Sequence, residues 1–294
     1  MLDSESLIKV VIPITMFSLM FAMGLTLTTA DFKRILAVPR ATLMGLVVVL
    51  LVSPFIGLSL AWAFDLPLMM AVGLVALAAC PGGTISNVVA HIGKGDTALS
   101  VTLTATATMA TLVTLPLWIN LALYIFGGAG TDIEMPVLQT GAQLFLFTVL
   151  PVLLGMFARS RKPVLLKHEP LLTKVSVAAM MSCFMLMAVI DEDDTFSRAG
   201  QVILPTVLLI VLAAVVGFLI PKLAGVNVKS SSTIAVESCL KNILIPFFLA
   251  SSALNSLDAA LASAVAWAIV IPVAISVMLA FNLFNKSQEK LAAS

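Results

Sequence analysis

The 294-residue chain is 61% hydrophobic and 11% charged, with a formal net charge of +1 and a mean hydropathy of +1.14. Soluble domains carry roughly 25% charged residues, and apolar runs of about 20 residues are what a hydrocarbon core of about 30 Å requires. A soluble domain is therefore excluded, as is a transmembrane β-barrel, whose alternating segments of about ten residues do not occur here; the composition indicates an all-α polytopic membrane protein.

Nine spans are read along the chain, at about 8–29, 41–63, 67–92, 98–126, 137–158, 171–190, 201–221, 231–253 and 259–284. The first is expected to be a span rather than a cleaved leader, because Asp3 and Glu5 stand where a leader carries positive charge. Loops between spans are short, so the whole chain, 1–294, is expected to be one transmembrane domain. Thirteen of the 16 basic residues fall on one side, in the 30–40 loop, at Lys94, in the loop from Arg159 to Lys174, at Lys222 and Lys229, and in the tail. The opposite side holds Asp65, Asp132, Glu134, the run Asp191–Asp194 and Asp258. Positive-inside sorting then puts the N-terminus outside and the C-terminus in the cytoplasm of the plasma (inner) membrane. The acidic run is read as a solvated loop cap, with a cation-attracting vestibule as the alternative. Cys80, Cys183 and Cys239 lie in apolar segments and are read as packing residues.

Two polar interruptions break this pattern. Pro81-Gly82-Gly83 in the third span removes a backbone donor and adds two poor helix formers, which predicts an unwound segment. Ser86 and Asn87 follow it, and Ser100, Thr104, Thr108 and Thr111 recur at helical spacing in the fourth span. Thr108 and Thr111 are read as packing hydroxyls; Ser86, Asn87, Ser100 and Thr104 are read as oxygen ligands for a hard cation. In the eighth span Glu237 and Lys241 are the two charges at membrane depth. A carboxylate there costs about 3 kcal/mol on insertion scales, so it needs a partner, a cavity or an ion. Lys241 is one turn later and is expected to pair with it; a purely architectural ion pair is the competing reading.

Met16–Met20 resembles Met181–Met185, and Asp96-Thr97-Ala98-Leu99 resembles Asp258-Ala259-Ala260-Leu261, each after a broken span. This implies inverted repeats, 1–128 and 129–294, of four and five spans. His91 and His168 are too far apart in context to form a metal pair, no nucleotide loop or nucleophile motif occurs, and nothing suggests nucleic-acid binding. An enzyme is disfavoured, because the interior holds one carboxylate and no histidine placed to serve it.

Met23-Gly24-Leu25-Thr26-Leu27 with Asp31-Phe32-Lys33-Arg34, the Cys80–Asn87 segment, Ala98-Leu99-Ser100-Val101, and Ile234-Ala235-Val236-Glu237 with Asn242 together resemble the bile acid:sodium symporter family. The resemblance implies panel and core domains, with two broken helices crossing at mid-membrane. Core helices are expected at about 67–126 and 231–284, and first-repeat panel helices at about 8–63. It also implies a first sodium site made by Ser86, Asn87, Ser100, Thr104 and Glu237. The second sodium site of the family uses a glutamine at each of two positions that here read Val49 and Lys241, beside the shared Glu237. Lys241 is therefore expected to stand in for the second sodium as a tethered cation. Asn87, Asn242 and Lys241 are the substrate-contact candidates. The expected function is sodium-coupled secondary transport of a small organic anion by a monomer in the lipid bilayer, with Na+ as coupling ion and no cofactor. A proton-coupled or uncoupled facilitator of the same fold is the alternative.

Overall fold

A computed structural model describes residues 4–33, 38–127, 136–190 and 195–293. Arg34, Asp132, Glu134 and the Asp191–Asp194 run, which carried part of the charge argument, lie outside these described residues. Every regular element among the described residues is helical. The order is α1 (Ser4–Thr26), α2 (Thr29–Lys33), α3 (Pro39–Val47), α4 (Ser53–Ala63), α5 (Leu68–Ala79), α6 (Thr84–Ile92), α7 (Thr97–Gly127), α8 (Val137–Leu144), α9 (Leu150–Arg161), α10 (Glu169–Ile190), α11 (Thr195–Leu223), α12 (Val228–Cys239), α13 (Leu244–Ser252) and α14 (Leu257–Ala293). Five of the described helical stretches are long and apolar enough to cross a membrane, among them Pro39–Ala63, Thr97–Gly127 and Arg198–Leu223. This is an integral membrane protein.

Proline shapes two of the long rods. Helices α3 and α4 are joined through a π turn, Val48–Val52, and α8 and α9 through another, Phe145–Val149. Each π turn ends two residues before a proline, Pro54 and Pro151. A proline has no N–H to give the carbonyl four residues back and its ring crowds that carbonyl; one extra residue in the turn relieves the clash. The carbonyl that Pro54 leaves behind belongs to Leu50, and the Trp118 indole N–H of α7 donates to it at 2.9 Å. Inside a bilayer such a freed group must be satisfied by protein.

Packing divides the helices. Helix α1 packs chiefly on α9 and α10, whereas α4 packs on α5 and α11, α5 on α7 and α14, and α11 on α12 and α14. Within residues 8–63, α1 joins α9 and α10, while 39–63 joins the helices around the two breaks. The reason is visible at the glycines. A Cβ on Gly24 would overlap the Val152 carbonyl, and one on Gly155 the Phe21 carbonyl, so α1 and α9 meet backbone to backbone. At the end of α1 the Arg159 guanidinium donates to the Thr26 carbonyl, closing that helix with a cation where its unsatisfied carbonyls gather. Near the opposite end of the bundle, Arg198 of α11 pairs with Asp258 of α14 at 2.6 Å.

Candidate functional site

The two interruptions meet. Helix α5 stops at Ala79, Cys80 is extended, and the helix resumes at Thr84; α12 stops at Cys239 and α13 starts at Leu244. Between them Gly82 lies antiparallel to Lys241. The Asn242 N–H donates to the Pro81 carbonyl at 2.7 Å, and the Gly83 N–H to the Leu240 carbonyl at 3.2 Å. Each break thus satisfies backbone groups that the other would leave bare in lipid. The Asn242 side chain accepts the Leu244 N–H at 3.1 Å, which orders the first turn of α13. Pro246 falls in that first turn, where its missing donor costs nothing. A Cβ at position 82 would overlap the Glu237 carboxylate where it stands, so any larger residue there would push that carboxylate aside.

Around that carboxylate gathers a set of oxygens. Ser86 of α6 stands 2.7 Å from Glu237 Oε2 and Ser100 of α7 stands 3.1 Å from the same oxygen. Thr104, one turn after Ser100, reaches Oε1 at 2.6 Å. Asn87 Oδ1 lies 2.8 Å from the Ser100 hydroxyl and 3.3 Å from that of Thr104, and the Gly83 carbonyl lies 2.6 Å from the Ser86 hydroxyl. Glu237 and all three hydroxyl residues are fully buried. These are six close oxygen–oxygen contacts, and the three hydroxyls own one proton each. The set gathers the kind of oxygen groups that a hard cation takes as ligands. Among the described residues, no group of three or more His, Cys, Asp or Glu could hold a metal ion.

All five residues expected at a first cation site are therefore brought together. Thr108 and Thr111 stay out of the cluster, as expected of packing hydroxyls, but they bond back to their own helix, to the Thr104 and Thr108 carbonyls, both at 2.7 Å, rather than across to a neighbour. The three cysteines are free and buried.

The expected Glu237–Lys241 pair does not form. Helix α12 ends at Cys239, so the one-turn register that would stack the two side chains is lost. Both Glu237 oxygens are engaged by hydroxyls, and Lys241 Nζ is buried with no hydrogen-bond partner, the residue being 7% exposed. Val49 is fully buried in the π turn Val48–Val52, which packs against α12. A cavity of about 100 Å³ adjoins the crossing. Lys241 and Asn242 line it, together with Thr84 of α6, Met20 of α1, Thr173 of α10 and Trp267 of α14. Of the three substrate-contact candidates, Asn87 instead spends its carbonyl oxygen in the oxygen cluster. A second, larger and apolar cavity of about 660 Å³ lies among α10, α11 and α14 and shares Trp267 with the first. Trp267 and the Gly83 carbonyl carry no local sequence signal; only the crossing of distant segments brings them to the site.

A model of the sodium bile acid symporter family matches residues 13–198. The chain is 29% identical over 249 residues to a probable chloroplastic sodium/metabolite cotransporter of Oryza sativa, covering 84% of this chain and 58% of that protein. It is 31% identical over 247 residues to a sodium-dependent transporter of Bacillus subtilis, covering 82% and 74%. It is 27% identical over 240 residues to the ileal sodium/bile acid cotransporter of Homo sapiens, covering 80% and 67%. The match thus spans less than two thirds of the rice protein's length. With the family model matching well over half of its residues, the chain belongs to the sodium bile acid symporter family.

Proposed function

We propose that this protein is a secondary active transporter that moves a small organic anion with sodium, using a single cation site. The observation that carries the reading is the oxygen cluster, in which Ser86, Asn87, Ser100, Thr104 and Glu237 converge with more acceptor oxygens than protons. In this reading sodium takes the place between the Glu237 carboxylate and the hydroxyls of α6 and α7. Lys241 and Val49 replace the two oxygen ligands of a second site, and the ammonium supplies the charge a second sodium would bring. It also repels one arriving there. The names of the rice, Bacillus and human relatives support sodium coupling.

The cavity beside the crossing is the proposed place for the substrate. The first residues of α6 and α13 both line it, and helix N-termini favour negative charge. Nine spans are proposed, the third and eighth broken, in two inverted repeats. The N-terminus is placed outside, and alternating access comes from movement of α1, α9 and α10 against the helices of the crossing. The plasma membrane is the proposed location.

The test is uptake of a panel of organic anions into proteoliposomes, with sodium and proton gradients imposed separately. Accumulation above equilibrium driven by sodium alone is expected, and Glu237→Gln abolishes it. Accumulation driven by protons alone, or simple equilibration under either gradient, refutes the reading.

A further inference from the structure

Glu237 and Lys241 are the two charged side chains at membrane depth, and the chain treats them differently. The carboxylate is held by three hydroxyls, whereas the ammonium is buried without a hydrogen-bond partner. A buried ammonium in that state calls for an anion. Lys241 lines the cavity of about 100 Å³, and so do Thr84 and Leu244, the first residues of α6 and α13. One ammonium and two helix N-termini therefore border one space.

We infer that Lys241 receives the single negative charge of a monovalent substrate anion, so that one sodium ion and one monoanion cross together and no net charge moves. This rests on the sodium-symport reading above. With neither ligand bound, the carboxylate and the ammonium sum to zero. Sodium alone leaves one positive charge and the anion alone leaves one negative charge; both together restore zero. Net charge at bilayer depth is costly, so the singly loaded forms are the ones held back from reorienting, and tight coupling follows from charge alone. A dianion leaves the loaded form negative and is rejected by the same balance. Leu19, Met20, Leu244 and Val270 line the cavity beside Lys241, which suits a carboxylate carried on an apolar group.

The probes are radiolabelled isobutyrate, its neutral analogue isobutyramide and the dianion methylmalonate, offered to proteoliposomes under an inward sodium gradient. A potassium gradient with valinomycin sets the membrane potential. Sodium-driven accumulation of isobutyrate is expected, unchanged by an inside-negative potential, with no accumulation of the amide or the dianion. In the Val49→Gln/Lys241→Gln variant, which restores two oxygen ligands, two sodium ions accompany each anion; the empty form then carries the Glu237 charge alone, so it returns more slowly and its return is the step that moves charge. A potential of about 100 mV then raises accumulation about 50-fold, the ratio for one net charge at about 2.3 kcal/mol per 100 mV. Radioactive sodium binding to the detergent-purified parent gives a readout that does not depend on the variant's folding, and a single non-cooperative site is expected. Potential-stimulated uptake by the parent, cooperative sodium binding, accumulation of methylmalonate, or sodium binding without isobutyrate uptake each overturns the inference. Isobutyrate uptake indifferent to sodium removes instead the symport reading beneath it.

Discussion

Thr104→Val offers a sharp test of the oxygen cluster. The substitution keeps the side chain's shape and removes only the hydroxyl, which stands 2.6 Å from Glu237 Oε1. The other two hydroxyls near the carboxylate are on Oε2, so Oε1 loses its hydroxyl partner. A hydrogen bond to a charged group contributes about 1.5–3 kcal/mol. If the same oxygen also ligates sodium, its loss weakens sodium binding by about 10- to 150-fold at 1.4 kcal/mol per tenfold. The control is Thr108→Val, one turn further along α7, whose hydroxyl bonds only to the Thr104 carbonyl in its own helix. It shifts stability by about 1 kcal/mol or less and leaves the sodium curve in place. Sodium titrations of purified protein, read by thermal stability and by radioactive sodium binding, distinguish the two. Equal sodium affinity in the parent, Thr104→Val and Thr108→Val would refute the assignment of Thr104 to a cation site.

Three further predictions concern the scaffold. Gly24→Ala drives a methyl into the Val152 carbonyl of α9 and destabilises the protein by about 1–3 kcal/mol, read as a lowered Tm with α1–α9 packing loosened. Trp118→Phe removes the indole N–H that the Leu50 carbonyl accepts together with part of the ring's packing area; the loss is at least about 1–3 kcal/mol, and Trp118→Tyr, with its hydroxyl differently placed, does not restore it. The Arg198–Asp258 pair, with side chains 27% and 25% exposed, gives a coupling of about 1 kcal/mol or less in a double-mutant cycle with alanine, shrinking as salt is raised.

Helix positions were readable from the sequence because lipid imposes one rule: long apolar runs must be helical, and they end where charge or proline gathers. The first break was readable for a related reason, since a proline followed by two glycines removes a backbone donor and adds two poor helix formers. The cluster around Glu237 was legible from residue types, as a buried carboxylate needs partners and hydroxyls at helical spacing supply them. What escaped was anything set by the meeting of segments distant in sequence. The spacing of Glu237 and Lys241 suggested an ion pair, but the register fails because α12 ends between them. The packing of α1 on α9 rests on glycine faces that complement each other across more than a hundred residues. The π turn at Val48–Val52 follows from Pro54, yet its stabilising donor, Trp118, lies far along the chain.

The crossing also links the two proposed sites physically. The first turns of α6 form both: Ser86, Asn87 and the Gly83 carbonyl belong to the oxygen cluster, while Gly83, Thr84 and Ile85 border the cavity. Across from them, Glu237 at the end of α12 serves the cluster, and Lys241 to Leu244 serve the cavity. In the proposed reading, a cation drawing Ser86 and Asn87 toward Glu237 fixes the wall against which the anion would sit. Neither site can be ordered without ordering part of the other, so binding at one lowers the ordering cost of the second. Linkage makes this reciprocal: the factor by which sodium tightens anion binding equals the factor by which the anion tightens sodium binding. Titrating sodium at fixed isobutyrate, and isobutyrate at fixed sodium, on purified protein measures both factors. Two equal factors above one are expected, and a factor of one in each direction would mean that the shared turn of α6 does not carry the coupling.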